Sequence, residues 1–216
     1  GTVTITHSGL LTIHDRTNDT DTANWDIVAN GGFTQAGAGT VNLSGDISAP
    51  GNNIAFAAAP HLFGHVALST GDGGGSIEFN HAVAAVTRDG TTRNLMLTAG
   101  TGNIIVPGSI GIAGTPLGLV QIDSAANVAG DAAGTTSTGA IYAGSLDQNA
   151  GTVVSRFGAI TVGSTVDIDV STADVFITGI VSAPDGFSST GTGAGSTFEN
   201  TGTITSTGGS IVINHT

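Results

Sequence analysis

The sequence predicts an all-β fold: a single elongated β-solenoid over residues 1–216, with short loop excursions. Three observations carry that expectation. Apolar and polar residues alternate in short runs, each closed by Gly, Pro, Asn or Asp, the pattern of strands with one buried face. Two words then recur at one offset. Val41-Asn42-Leu43-Ser44-Gly45-Asp46-Ile47-Ser48-Ala49-Pro50 returns as Val175-Phe176-Ile177-Thr178-Gly179-Ile180-Val181-Ser182-Ala183-Pro184. At the same offset, Gly74-Gly75-Ser76-Ile77-Glu78-Phe79-Asn80-His81 returns as Gly208-Gly209-Ser210-Ile211-Val212-Ile213-Asn214-His215. Self-similarity at a fixed spacing is the mark of repeat architectures. The third observation is composition. Gly is 35 of 216 residues and charged residues are 9%, against about 25% in an ordinary globular domain. With no Lys at all, the surface is left to Thr, Ser, Asn and Gly, which favour strands and turns over helices.

The strands follow from the alternation, in order. Val3-Thr4-Ile5-Thr6, Leu11-Thr12-Ile13-His14 and Trp25-Asp26-Ile27-Val28 open the chain. Val41-Asn42-Leu43, Asn53-Ile54-Ala55-Phe56, Val66-Ala67-Leu68, Ile77-Glu78-Phe79 and Leu95-Met96-Leu97-Thr98 continue it. The middle holds Ile104-Ile105-Val106, Leu119-Val120-Gln121-Ile122 and Ala140-Ile141-Tyr142-Ala143. Ile160-Thr161-Val162, Val166-Asp167-Ile168-Asp169-Val170, Val175-Phe176-Ile177, Thr203-Ile204-Thr205 and Ile211-Val212-Ile213 complete the series.

Short strands of this kind suit either a solenoid or β-sandwich repeats. The offset from Val41 to Val175 divides into about six coils of roughly 20–25 residues, the scale of one solenoid rung. The inward residues are mostly Val, Ile, Leu and Ala, as a narrow interior needs. Asn42, Asn53, Asn80, Asn103, Asn127 and Asn214 near turns are candidates for amide ladders between coils. Four stretches break the rhythm and are expected as loops: Asp15 to Asn24, Ala57 to His65, Ala129 to Thr138 and, more weakly, Thr87 to Arg93. Excursions from a regular rod are where binding specificity sits. The last residues read on into the first, Gly1-Thr2-Val3-Thr4-Ile5-Thr6-His7, so the segment is expected to be cut from a longer array, with 41–82 and 175–216 as an internal repeat.

A net charge of −12 with only four Arg argues against a nucleic-acid or anionic-membrane partner. No apolar run reaches the ~18 residues of a membrane span. With no Cys, disulfides contribute nothing.

The runs Phe187-Ser188-Ser189-Thr190-Gly191, Phe198-Glu199-Asn200-Thr201-Gly202-Thr203-Ile204-Thr205 and Gly208 through Thr216 resemble repeats of the filamentous-haemagglutinin-like giant bacterial exoproteins. Leu95-Met96-Leu97-Thr98-Ala99-Gly100-Thr101-Gly102-Asn103-Ile104 resembles the recurrent coil of the same family. The resemblance implies a right-handed β-helix, secretion or display on a bacterial cell surface, and a role in adhesion or extracellular fibres. It transfers no functional residue.

Candidate sites are few. Asp15, Asn18, Asp19, Asp21, Asn24 and Asp26 bring six oxygen-bearing side chains close together in the chain, and calcium takes about 6–8 oxygens. Calcium, with Asp15, Asp19, Asp21 and Asp26 as ligands, is the one cofactor this pattern raises. It lacks EF-hand spacing and equally describes a solvated loop. Asp167 and Asp169 share a strand face about 7 Å apart, a geometry that raises glycosidase chemistry, although aromatic platforms and basic partners are scarce nearby. His61 and His65 have metal-ligand spacing, with Pro60 and Gly64 against the helix it needs. Gly71-Asp72-Gly73-Gly74-Gly75 lacks the Lys and helix of a phosphate cradle, and no Gly-x-Ser-x-Gly elbow supports a triad. Ser48, Ala49, Pro50, Asn80 and His81, with Ser182, Ala183, Pro184, Asn214 and His215, are expected as structural repeat positions.

The function expected is therefore non-enzymatic: a structural or adhesive fibre segment whose partners are further copies of the coil and a cell-surface or glycan ligand. Alternatives are a carbohydrate-binding or polysaccharide-degrading β-helix acting through Asp167 and Asp169, and a phage fibre segment.

Overall fold

The computed structural model describes residues 1–15 and 25–216. These contain 26 strands and no helix, wound as a β-solenoid of about eight turns. Every strand-to-strand ladder is parallel, and each coil contributes one strand to each of three faces. On the first face nine strands stack in sequence, from Val3–Thr6 through Phe33–Ala36, Ile54–Phe56 and Ile77–Phe79 to Phe198–Asn200. The second face runs from Leu11–Ile13 through Val41–Leu43 and Pro60–Leu62 to Ile204–Thr205. The third runs from Ile27–Val28 through Ile47–Ser48, Val66–Ser69 and Leu95–Thr98 to Ile211–His215. Ile141–Gln148 is long enough to serve both the second and third faces of its coil. Coil length is not constant. On the first face a short coil leads from Val154 to its partner Asp174, and a long one from Val3 to its partner Phe33.

Alternation within strands becomes rows between coils. On the third face Val66, Leu95, Val120, Leu146, Val166, Phe187 and Ile211 stack in one inward row, and all but the last are buried. The outward neighbours form their own row: Ala67, Met96, Gln121, Asp147, Asp167, Ser188 and Val212. Phe56 and Phe79 are in-register partners and follow the same rule, while Phe33, whose partner is Ile54, reaches Phe56 from two positions along the strand. Phe33, Phe56 and Phe79 are fully buried at 5.6 and 5.8 Å between neighbouring centroids, the second pair nearly parallel at 8°. Offset or tilted ring pairs at this spacing add about 0.5–1.5 kcal/mol beyond burial.

Two inward polar residues, Gln35 and Gln148, lie at or next to strand ends. Gln35 is 1% exposed, and its Oε1 accepts the backbone N–H groups of Ala57 and Ala58 one coil on. Gln148 donates to Ser155 Oγ at 2.8 Å inside the coil. Of the amide ladders expected, one link is present: Asn127 Nδ2 donates to Asn103 Oδ1 at 2.8 Å. Asn53 instead donates to Glu78 and accepts from Ser76 N–H. Corners also need close backbone approach, and Gly102 shows why. A Cβ there would collide with the Gly75 carbonyl of the preceding coil.

The two copies of the repeat keep their inward–outward alternation but not their face. Val41–Leu43 is on the second face and Val175, in Asp174–Ile177, on the first. Ile47–Ser48 is on the third and Val181–Ser182 on the second. Ile77–Phe79 is on the first and Ile211–His215 on the third. The offset thus spans five coils and two faces. Ile77 and Phe79 are buried between two neighbouring coils, while Ile211 and Ile213, in a strand paired on one side only, are each 47% exposed.

Two expected loops are corrected. Ala57 to His65 contains the strand Pro60–Leu62, with Pro60 paired to Val41. Proline reads as a strand breaker because it donates no ladder hydrogen bond, yet its ring fills a buried position here. Thr87 and Arg88 belong to Ala84–Arg88, leaving only the residues after them as a turn. Between Ala129 and Ile141 the expected excursion is present, held by Asp131, whose carboxylate accepts from Thr135 and Thr136. The stretch after Asp15 as far as Asn24 lies outside the described residues.

Phe56→Ala in the middle of the aromatic stack is expected to lower unfolding free energy by about 3–5 kcal/mol, and Gly102→Ala by about 1–3 kcal/mol. Denaturant titration followed by circular dichroism checks both, with an outward Thr161→Ala change as the silent control.

Candidate functional site

The chemistry of this surface concentrates on the outer side of the third face. The parallel stack determines which side chains meet there. Because Asp147 pairs with Asp167 in register, their carboxylates sit on adjacent coils of one outward row, with Asp169 on the same face further along the strand. Asp123 joins them from the preceding coil, where its Oδ1 accepts from Gln121 at 2.6 Å and Asn149 at 3.1 Å. Thr98 donates to its other oxygen at 3.2 Å. Partial burial, then the negative charges of Asp167, Asp123 and Asp169, pushes the Asp147 carboxyl above the ordinary aspartate value. Asp167 and Asp169 themselves are exposed.

The same row begins, at its other end, in a cavity of about 300 Å³. It opens at the corner where the second face turns into the third, and three successive coils line it. Asp46 comes from the second coil, His65, Val66 and Ala67 from the third, Asn94 and Met96 from the fourth. Asp46 is 4% exposed. Its Oδ1 accepts Ala67 N–H at 2.7 Å, and its own N–H donates to Asp26 Oδ2 at 2.9 Å. Asn94 N–H donates to His65 Nδ1 at 3.1 Å, so the neutral ring carries its proton on Nε2. Leu119 N–H in turn donates to Asn94 Oδ1 at 2.9 Å, which fixes the amide and turns its NH₂ away from that bond.

Of the candidate calcium ligands, Asp19 and Asp21 lie outside the described residues. Asp15 N–H lies 3.4 Å from Ser44 Oγ, and Asp26 receives the Asp46 N–H just noted. Among the described residues no group of three or more His, Asp or Glu side chains is arranged to hold a metal ion. His61 and His65 do not converge. His61 bonds Thr87 Oγ1 at 2.8 Å on the second face and meets the Phe63 ring edge-on at 5.0 Å, while His65 lines the corner cavity.

The repeat words carry no shared site. Ala49 and Ala183 are fully buried, with Ser48 and Ser182 beside them in strands of different faces and Pro50 and Pro184 at the turns that follow. Asn80 donates to Glu78 at 3.4 Å, and His81 lies at a turn, its Nδ1 3.0 Å from Ala84 O. Asn214 and His215 instead lie within a strand, where Nε2 of His215 meets Ser189 Oγ at 3.0 Å and burial holds the imidazole pKa down.

Asp46, Asn94, Met96, Asp123 and Asp147 were not singled out from the sequence. For Asp46 a signal was present. The two repeat words agree at Gly45 and Gly179 and then diverge, Asp46 against Ile180, an acid where the other copy has an exposed aliphatic side chain.

Compared with protein-family models, curated proteins and solved structures, the chain has no match.

Asp147 gives a pH prediction. A carboxyl whose folded pKa is raised destabilises the folded state once pH exceeds the unfolded value near 3.8, and the penalty disappears as pH falls below both. Asp147→Asn is therefore expected to raise the thermal midpoint at pH 7 and leave it unchanged at pH 3, as differential scanning fluorimetry at both pH values would show.

Proposed function

We propose that the chain is a structural and adhesive segment of a secreted or surface-displayed bacterial fibre protein, of the filamentous-haemagglutinin-like kind. The observation that carries this reading is the continuous parallel stack, in which nine strands of the first face pair one on the next along the chain. The strand Ile211–His215 pairs on one side only, with Gly186–Gly191. Its inward residues Ile211 and Ile213 are about half exposed where every earlier member of the Ile211 row is buried. An open parallel edge of this kind takes a further strand readily, and solenoid stability is a sum over nearest-neighbour interfaces. A second copy stacked on that edge continues the ladder and buries it. The mechanical role follows: the coils form a stiff rod, and its outward rows and corners make the contacts.

The acidic row favours a second reading, a polysaccharide-binding or polysaccharide-degrading β-helix in which Asp167 and Asp169 act beside Asp147. Paired carboxylates flanking the scissile bond are the usual acid–base device of glycosidases. Incubation with uronic-acid and neutral polymers, with Asp167→Asn as control, decides it: absence of both turnover and binding removes this reading.

For the leading reading, sedimentation velocity of the whole chain is expected to show end-to-end association rising with concentration. Ile211→Lys, which places a charge on the open edge, is expected to weaken that association at least about tenfold. A wild-type chain that stays monomeric at all concentrations contradicts self-stacking.

A further inference from the structure

We propose that His215 is a pH-sensitive latch: neutral, it fastens the strand Ile211–His215 to the coil beneath it, and a second proton on the ring releases that strand. The latch regulates the stacking described above and rests on that reading for its consequence alone, since the strand it fastens is the one that takes a second copy.

The latch is built around a missing side chain. His215 pairs in register with Gly191, and a Cβ on Gly191 would lie 2.6 Å from His215 Nδ1 and 2.0 Å from Ser196 Oγ. The imidazole and the Ser196 hydroxyl thus close on space that only a glycine leaves. Nε2 of the ring is 3.0 Å from Oγ of Ser189, which is fully buried, and the Phe198 ring stands 5.8 Å away. A hydroxyl both donates and accepts, so this bond forms whether or not Nε2 carries a proton. Nδ1 differs. It is buried and has no hydrogen-bond partner among the described residues. As a bare lone pair it is tolerated; as the N–H of an imidazolium it is a buried, charged donor without an acceptor, which is costly. The charged groups nearby do not offset that cost. Asp174 attracts the proton, but its Oδ1 already accepts from Thr197 N–H and Oγ1. Glu199 is exposed in the outward row of Phe198–Asn200, and Asp169 is exposed on the outward side of Thr165–Val170. Gly186–Gly191 carries no ionisable side chain. Burial therefore outweighs Asp174 and holds the imidazole pKa below its ordinary value. A histidine depressed in this way leaves its contact at full strength above the unfolded value of 6.5 and weakens it as pH falls below that value.

Amide hydrogen exchange by NMR on the whole chain, at a concentration where it is monomeric, reads the latch. Protection factors, which remove the intrinsic pH dependence of exchange, are compared at pH 7.5 and pH 5.5. Protection across Ile211–His215 is expected to be at least about threefold lower at pH 5.5, with Ile77–Phe79 unchanged. His215→Gln keeps a polar side chain that takes no second proton and leaves every carboxylate in place, so its protection is expected to be the same at both pH values. Equal protection of the wild-type strand at the two pH values overturns the proposal. So does a loss shared by Ile77–Phe79, or one that persists in His215→Gln. Sedimentation velocity at the same pH values tests the consequence: association that weakens at pH 5.5 in the wild type and not in His215→Gln supports it. A chain that associates at neither pH removes the stacking reading, while the exchange result still decides the latch.

Discussion

Everything in this molecule follows from the parallel backbone ladder that joins each coil to the next. Strands bonded this way stand about 4.8 Å apart, and that pitch applies to every position around the coil. A residue must therefore be compatible with whatever lies directly above and below it. On the third face this yields the buried row from Val66 to Phe187 and the outward row that includes Asp147 and Asp167. The same pitch stacks Phe56 on Phe79 with ring planes 8° apart and brings Gly102 too near the Gly75 carbonyl to carry any side chain. Gly, Phe and Asp positions are three consequences of one spacing.

The ladder also explains where polarity is tolerated. Buried polar groups need partners, and along a straight run only a polar side chain of an adjacent coil supplies one, as His215 does for Ser189. At the corners the backbone turns and frees its own N–H and C=O groups, so Gln35 can accept from Ala57 and Ala58. Asp46 is a corner residue too, accepting from Ala67 one coil on. A bend in a rod of otherwise apolar interior is thus the natural place for a recessed polar site. The flat outward rows gather like charges instead, and Asp147 feels three neighbouring carboxylates as a result.

Fold class was legible in the sequence because period-2 alternation is local and needs no knowledge of the partner strand. Val41–Leu43, Ile77–Phe79, Leu95–Thr98 and Ile160–Val162 match their expected bounds. Strands whose inward residues are small or polar were missed. Gly186–Gly191, which buries Ser189, is not among the expected strands, and Pro60–Leu62 falls within an expected loop. Face assignment was not legible, because the alternation is identical on all three faces and coil length varies along the rod. The repeat of Val41 at Val175 accordingly looked like a return to the same place and is a return to a neighbouring face. The cavity was illegible for a related reason: Asp46, His65 and Asn94 belong to three different coils and meet only through the winding.

The central claim is that the coils stack in one direction along a rod, and a pair of spin labels measures it most directly. Thr4 and Glu199 are exposed and occupy the first and ninth strands of one outward row. The chain contains no Cys, so two introduced cysteines label cleanly. Eight inter-strand steps of ~4.8 Å place the two positions about 38 Å apart, and pulsed electron–electron resonance is expected to return a narrow distribution at that distance, widened only by the label arms. A distribution centred below about 25 Å, as two facing layers of strands would give from their ~10 Å sheet separation, would contradict the account.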